Sequence, residues 1–172
     1  TMSKVLAKLP CLNRFAIKIT FQKPAPHKDH FPYFKLMTQL SQLTHLDVHL
    51  EIDRRVKLEL VLWDFICIPL KLKSFYLELF TTQEFQEKDQ DFFDSFRNFC
   101  TSQITSAKEL KSLSLILISM KKEFYKKIIE CTDTLAETLP LSLEIFRFYF
   151  PQRQLNLEFK LEKLYTLLKK LA

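Results

Sequence analysis

Glycine is absent from all 172 residues. Loops that cradle phosphate on bare backbone need glycine, and so does the strained elbow that presents a nucleophilic serine, so neither can be built here. Long apolar runs are absent too. The longest, Phe65 to Leu70, has six residues and includes a proline, against the roughly 20 that a membrane-crossing helix needs. No insertion into a membrane is expected. Cysteines at metal or redox spacing are also missing. Cys11, Cys67, Cys100 and Cys131 lie 56, 33 and 31 residues apart, with no histidine at zinc spacing beside them. They read as reduced, buried thiols of an intracellular protein. Arginine is scarce, at 6 of 26 basic residues. Bidentate recognition of phosphates and bases favours Arg over Lys, so the balance speaks only weakly for nucleic acid.

Acidic residues are missing from the start of the chain. Lys4, Lys8, Arg14, Lys18, Lys23 and Lys28 all precede the first acid, Asp29. Such a start resembles a mitochondrial targeting segment. In the other reading, residues 12–20 already belong to the first folded unit and the protein is cytoplasmic.

What is present is an ordinary globular balance, 47% hydrophobic and 27% charged, in a chain of single-domain length. The net charge of +6 permits attraction to RNA, acidic proteins or anionic membrane. The chain starts on Thr1, and we expect residues 1–172 to be one domain, a segment of something longer.

The main signal is a repeat. The phrase Leu-x-x-Φ-x-Φ-x-Φ, with Φ apolar, occurs at Leu12, Phe15, Ile17, Ile19 and at Leu43, Leu46, Val48, Leu50. It returns at Leu72, Phe75, Leu77, Leu79, at Leu110, Leu113, Leu115, Leu117, and at Leu143, Phe146, Phe148, Phe150. The intervals are 31, 29, 38 and 33 residues. Each phrase alternates as a strand with one buried face does. Several gaps carry helical spacing instead. In 121–139 it runs through Phe124, Ile128, Cys131, Leu135 and Leu139. In 89–104 it runs through Phe92 or Phe93, Phe96, Phe99 or Cys100, and Ile104. Segments 31–42 and 162–171 read as helices on weaker patterns. Strands joined by helices imply parallel pairing, which needs a crossover of about a dozen residues. Two gap segments, 56–62 and 155–161, alternate with period two. They leave open an α+β fold with a mixed sheet.

The phrase L-x-x-L-x-L resembles the strand segment of leucine-rich repeat proteins, and the unit length is similar to their longer, ribonuclease-inhibitor-like class. The resemblance covers about residues 9–171. It implies an α/β solenoid of about five strand–helix units that binds other proteins on a concave sheet face. The family's Asn or Cys after the strand is replaced by Thr20, Glu51, Phe80, Ile118 and Pro151. The usual asparagine ladder is therefore missing, and an irregular array is expected.

On such a face the candidate contacts are Lys18 from the first strand and Asp47, His49 and Glu51 from the second. Tyr76 and Glu78 follow from the third, and Arg147 and Tyr149 from the fifth. Their mixture of charge and Tyr suits a protein interface. His45, Asp47, His49 and Glu51 also look metal-like, but His45 and His49 stand roughly 13 Å apart on a strand, too far to share one ion. No metal or cofactor is expected. No nucleophile is marked out, so the chain reads as a non-catalytic scaffold or adaptor, a subunit of a larger assembly. The alternative is an RNA- or nucleoprotein-associated module in which Lys121, Lys122, Lys126 and Lys127 track phosphates.

Overall fold

The computed structural model describes residues 11–21, 40, 42–53, 66, 68–82, 90–119, 124–125, 127–128, 131 and 139–149. Each of the five phrases forms a strand: β1 (Arg14–Phe21), β2 (His45–Ile52), β3 (Ser74–Thr81), β4 (Ser112–Ser119) and β5 (Ile145–Tyr149). They make one sheet in sequential order, and every pairing is parallel. The mixed sheet left open by the sequence is not found among the described strands. Segments 56–62, 155–161 and 162–171, with nearly all of 31–42, lie outside the described residues.

The pairing brings equivalent positions of the phrase side by side. Phe15, Leu46, Phe75, Leu113 and Phe146 form one row, and Ile17, Val48, Leu77, Leu115 and Phe148 the next. This register is what the hydrophobic pattern demands, because a slip of one residue would turn every apolar side chain outwards. In β2 and β3 every second residue is buried, from Leu46 to Ile52 and from Phe75 to Thr81. The opening Leu of each phrase joins the core: Leu43, Leu72, Leu110 and Leu143 are buried, and Leu12 packs partly buried against them.

Backbone bonding repeats with the phrase. The amides of Leu43, Leu72, Leu110 and Leu143 bond the carbonyls of Leu40, Pro69, Ala107 and Pro140 at 2.9–3.1 Å, closing a turn before each strand from β2 to β5. One carbonyl per unit then accepts two amides of the next. Asn13 receives Thr44 and His45, Thr44 receives Lys73 and Ser74, Lys73 receives Lys111 and Ser112, and Lys111 receives Glu144 and Ile145. This ladder lies where the strands begin and needs no particular side chain, so the sequence carries no mark of it. Where β4 ends, a side chain does the work. The buried Tyr125 hydroxyl accepts the Ser119 amide at 2.8 Å and donates to the Ser119 carbonyl at 2.5 Å.

Between β3 and β4 the expected helix is present as α1 (Gln90–Asn98) and continues as a π-helix over Phe99–Ile104. Asp91 in the first turn and Arg97 in the last suit the helix dipole. The widened turn has a local cause. The hydroxyls of Thr101 and Ser102 donate to the carbonyls of Arg97 and Asn98, competing with the amides of an α-helical ladder. Both members of each ambiguous pair are buried: Phe92 with Phe93, and Phe99 with Cys100. The ring centroids of Phe99 and Phe75 lie 6.0 Å apart, joining this segment to the sheet. Phe124, Ile128 and Cys131 have helical backbone and buried side chains, as the pattern over 121–139 requires. Tyr125, outside that pattern, is helical and buried too, whereas Leu139 is partly buried but not helical, and Leu135 lies outside the described residues.

Candidate functional site

The face of the sheet opposite the core is set by the same alternation. The register places Ala16, Asp47, Tyr76, Ser114 and Arg147 in one row, and Lys18, His49, Glu78, Ile116 and Tyr149 in the next. All eight residues proposed from the sequence therefore share one face. Lys18, Arg147 and Tyr149 are exposed, while Asp47, His49, Glu51, Tyr76 and Glu78 are half-buried. The face is zoned. Cations mark its margins at Lys18 and Arg147, three carboxylates crowd β2 and β3, and Phe80, Ile116 and Ile118 make a more apolar sector.

The middle of the face is a bonded cluster built on Glu78. His49 Nδ1 lies 3.0 Å from Glu78 Oε2, and the Tyr76 hydroxyl donates to the same oxygen at 2.9 Å. The His49 and Tyr76 rings stand 5.2 Å apart. One register step away, Lys18 Nζ meets Glu51 Oε2 at 3.4 Å. That ion pair is exposed and is worth about 0–1 kcal/mol, so it shapes the surface more than it stabilises the fold. Asp47 and Arg147 have no hydrogen-bonding or ion-pairing partner among the described residues. They stand three strand spacings apart in one row, roughly 14 Å. Lys18, His49, Leu50, Glu51, Glu78 and Phe80 line a shallow depression of about 250 Å³.

Burial first, then the bond to Glu78 and the charges of Glu78 and Asp47, raise the Tyr76 phenol from its ordinary 10.0 to about 12. The neutral phenol is thus favoured in the folded chain. Between pH 10 and about 12 the unfolded chain ionises at this residue while the folded chain does not, so stability is lost as pH rises through that window. Phenolate absorbance should show a late-titrating component that disappears in Tyr76→Phe and moves to lower pH in Glu78→Gln. A Tyr76→Phe difference curve centred near the ordinary value would contradict the cluster.

The remaining candidates fall elsewhere. Lys127 is half-buried and donates from Nζ to Gln90 Oε1 at 3.0 Å. Lys121, Lys122 and Lys126 lie outside the described residues. No three metal-ligating side chains come together among the described residues. His49 turns Nδ1 to Glu78 on β3, so the run from His45 to Glu51 does not converge on a point. Cys100 and Cys131 are buried thiols outside any disulfide, as expected, whereas Cys11 is exposed, and Cys67 lies outside the described residues. Burial, with Cys131 nearby, pushes the Cys100 thiol above its ordinary range, which makes it a poor nucleophile. No helix among the described residues is long and apolar enough to cross a membrane.

No protein-family model matches the chain, and no curated protein aligns with it. The sequence did not point to the bonding on Glu78 or to the Tyr125 clamp. The spacing of Tyr76 and Glu78 was a usable signal for the first, since residues two apart on a strand share a face. The clamp joins a strand end to a helix and leaves no short-range pattern.

Proposed function

We propose that this chain is a leucine-rich-repeat-like solenoid that serves as a non-catalytic scaffold or adaptor, a subunit of a larger protein assembly. The open sheet face is its docking surface for a protein. The observation that supports this most is the in-register face itself. Side chains from four strands stand in a fixed array with cationic margins, an acidic centre, Tyr76 and Tyr149. Charge pattern and aromatics are what protein interfaces use for specificity and affinity. A catalytic role has less support. Glu78 holds both the His49 Nδ1 and the Tyr76 hydroxyl, and the nearby depression is shallow and open.

The test is purification of the native protein from its own cell extract, with half the sample treated with RNase before washing. A fixed set of proteins should survive RNase and be lost in the double variant Asp47→Lys/Arg147→Glu. Neither side chain has a hydrogen-bonding or ion-pairing partner among the described residues, so that variant should melt within a few degrees of the wild type. Partners that disappear with RNase, or that are retained by the double variant, would overturn the assignment. In the first case the lysines 121, 122, 126 and 127 become the site to examine.

A further inference from the structure

A second surface lies at the edge of the sheet where the strands begin. The turns closed by Pro69–Leu72, Ala107–Leu110 and Pro140–Leu143 place Leu70, Lys108 and Leu141 at the same position of successive turns. Leu70 is 70% exposed and Leu141 101%. Lys71, Lys73, Lys108 and Lys111 are exposed along the same edge. Lys71, Lys73 and Lys108 have no acidic partner among the described residues. Lys111 is bonded to Glu144 at 2.6 Å, and Glu109 is the other acid on this edge among the described residues.

We infer that this edge docks on an anionic phospholipid surface, with the Leu70 and Leu141 side chains entering the headgroup region and the lysines facing lipid phosphates and carboxylates. The composition favours lipid over the alternatives. Protein interfaces are depleted in Lys and enriched in Tyr, Trp and Arg, and this edge has Lys and Leu. Phosphate tracking on RNA gives no use to two exposed leucines. A lipid boundary uses both, because leucine partitions into the acyl margin while lysine meets the surface charge. The two leucines stand two strands apart, roughly 10 Å, so both can enter one flat surface together. This edge is separate from the open sheet face, and the assignment does not depend on the docking role given to that face.

Flotation of the 172-residue chain with vesicles tests it. One set is neutral phosphatidylcholine and the other contains phosphatidylserine. Binding should require phosphatidylserine and weaken as salt is raised. Leu70→Ser/Leu141→Ser should reduce the partition coefficient about tenfold or more, and Lys71→Glu/Lys108→Glu about 25-fold or more. All four side chains are exposed, so melting temperatures should hold. The inference is overturned if phosphatidylserine gives no partition at low salt, or if the partition survives either double variant. It is also overturned if homopolymer RNA displaces the chain from the vesicles while the leucine variant binds like the wild type.

Discussion

Phe75→Ala is expected to lower stability by about 3–5 kcal/mol, the range for emptying a fully buried aromatic site. The melting temperature should fall by about 6–20 °C for a chain of this size. Phe75 is fully buried in the middle strand, between Leu46 and Leu113, with the Phe99 ring above it. Its removal opens a cavity where sheet and helix meet, and packed neighbours collapse only partly into such a space. Phe75→Leu should cost less than about 1.5 kcal/mol, because Leu already fills the equivalent position in β2 and β4. Urea or thermal denaturation distinguishes the two. An Ala variant no worse than a surface substitution, about 0.5 kcal/mol, would mean that the row does not pack as described.

Tyr125→Phe is the second large effect, expected at about 1–3 kcal/mol for two buried hydrogen bonds. The phenol makes two bonds to the Ser119 backbone in a buried setting. Phenylalanine keeps the ring and its contact with Phe124, but removes both hydrogen bonds that the hydroxyl makes to the Ser119 backbone in a buried setting. Burial raises the Tyr125 pKa, with the Ser119 backbone opposing in part, so the phenol stays protonated and able to donate. Tyr149→Phe, at an exposed position of the same sheet, should change stability by less than about 0.5 kcal/mol. Hydrogen exchange at the Ser119 amide gives a second readout. Its protection should fall in Tyr125→Phe beyond what the loss of global stability explains.

The strands were legible because their signal is local and repeated. Period-two alternation behind an inward-packed Leu recurs five times, and parallel pairing follows from the length of the gaps. The helix at 89–104 was legible for the same reason. Its π-helical end was not, since it depends on where the hydroxyls of Thr101 and Ser102 find carbonyls. That the face residues share one side of the sheet was legible because alternation assigns each to a side. Their bonding was less legible. Glu78 gathers His49 and Tyr76, while Lys18 reaches Glu51 rather than its register partner His49. Side-chain length and direction decide that, and spacing does not record it. The backbone carbonyl ladder at the strand starts was invisible as well, because backbone acceptors carry no sequence identity.

Site-directed photo-crosslinking tests the central claim most directly. A benzophenone amino acid replaces Tyr76 or Tyr149 on the open face, or Asp91 on the exposed side of α1. Illumination in the native extract, followed by mass spectrometry, should yield the same protein adduct from both face positions and none of it from position 91. Adducts from position 91 alone, or equally from all three, would contradict a partner docked on the sheet.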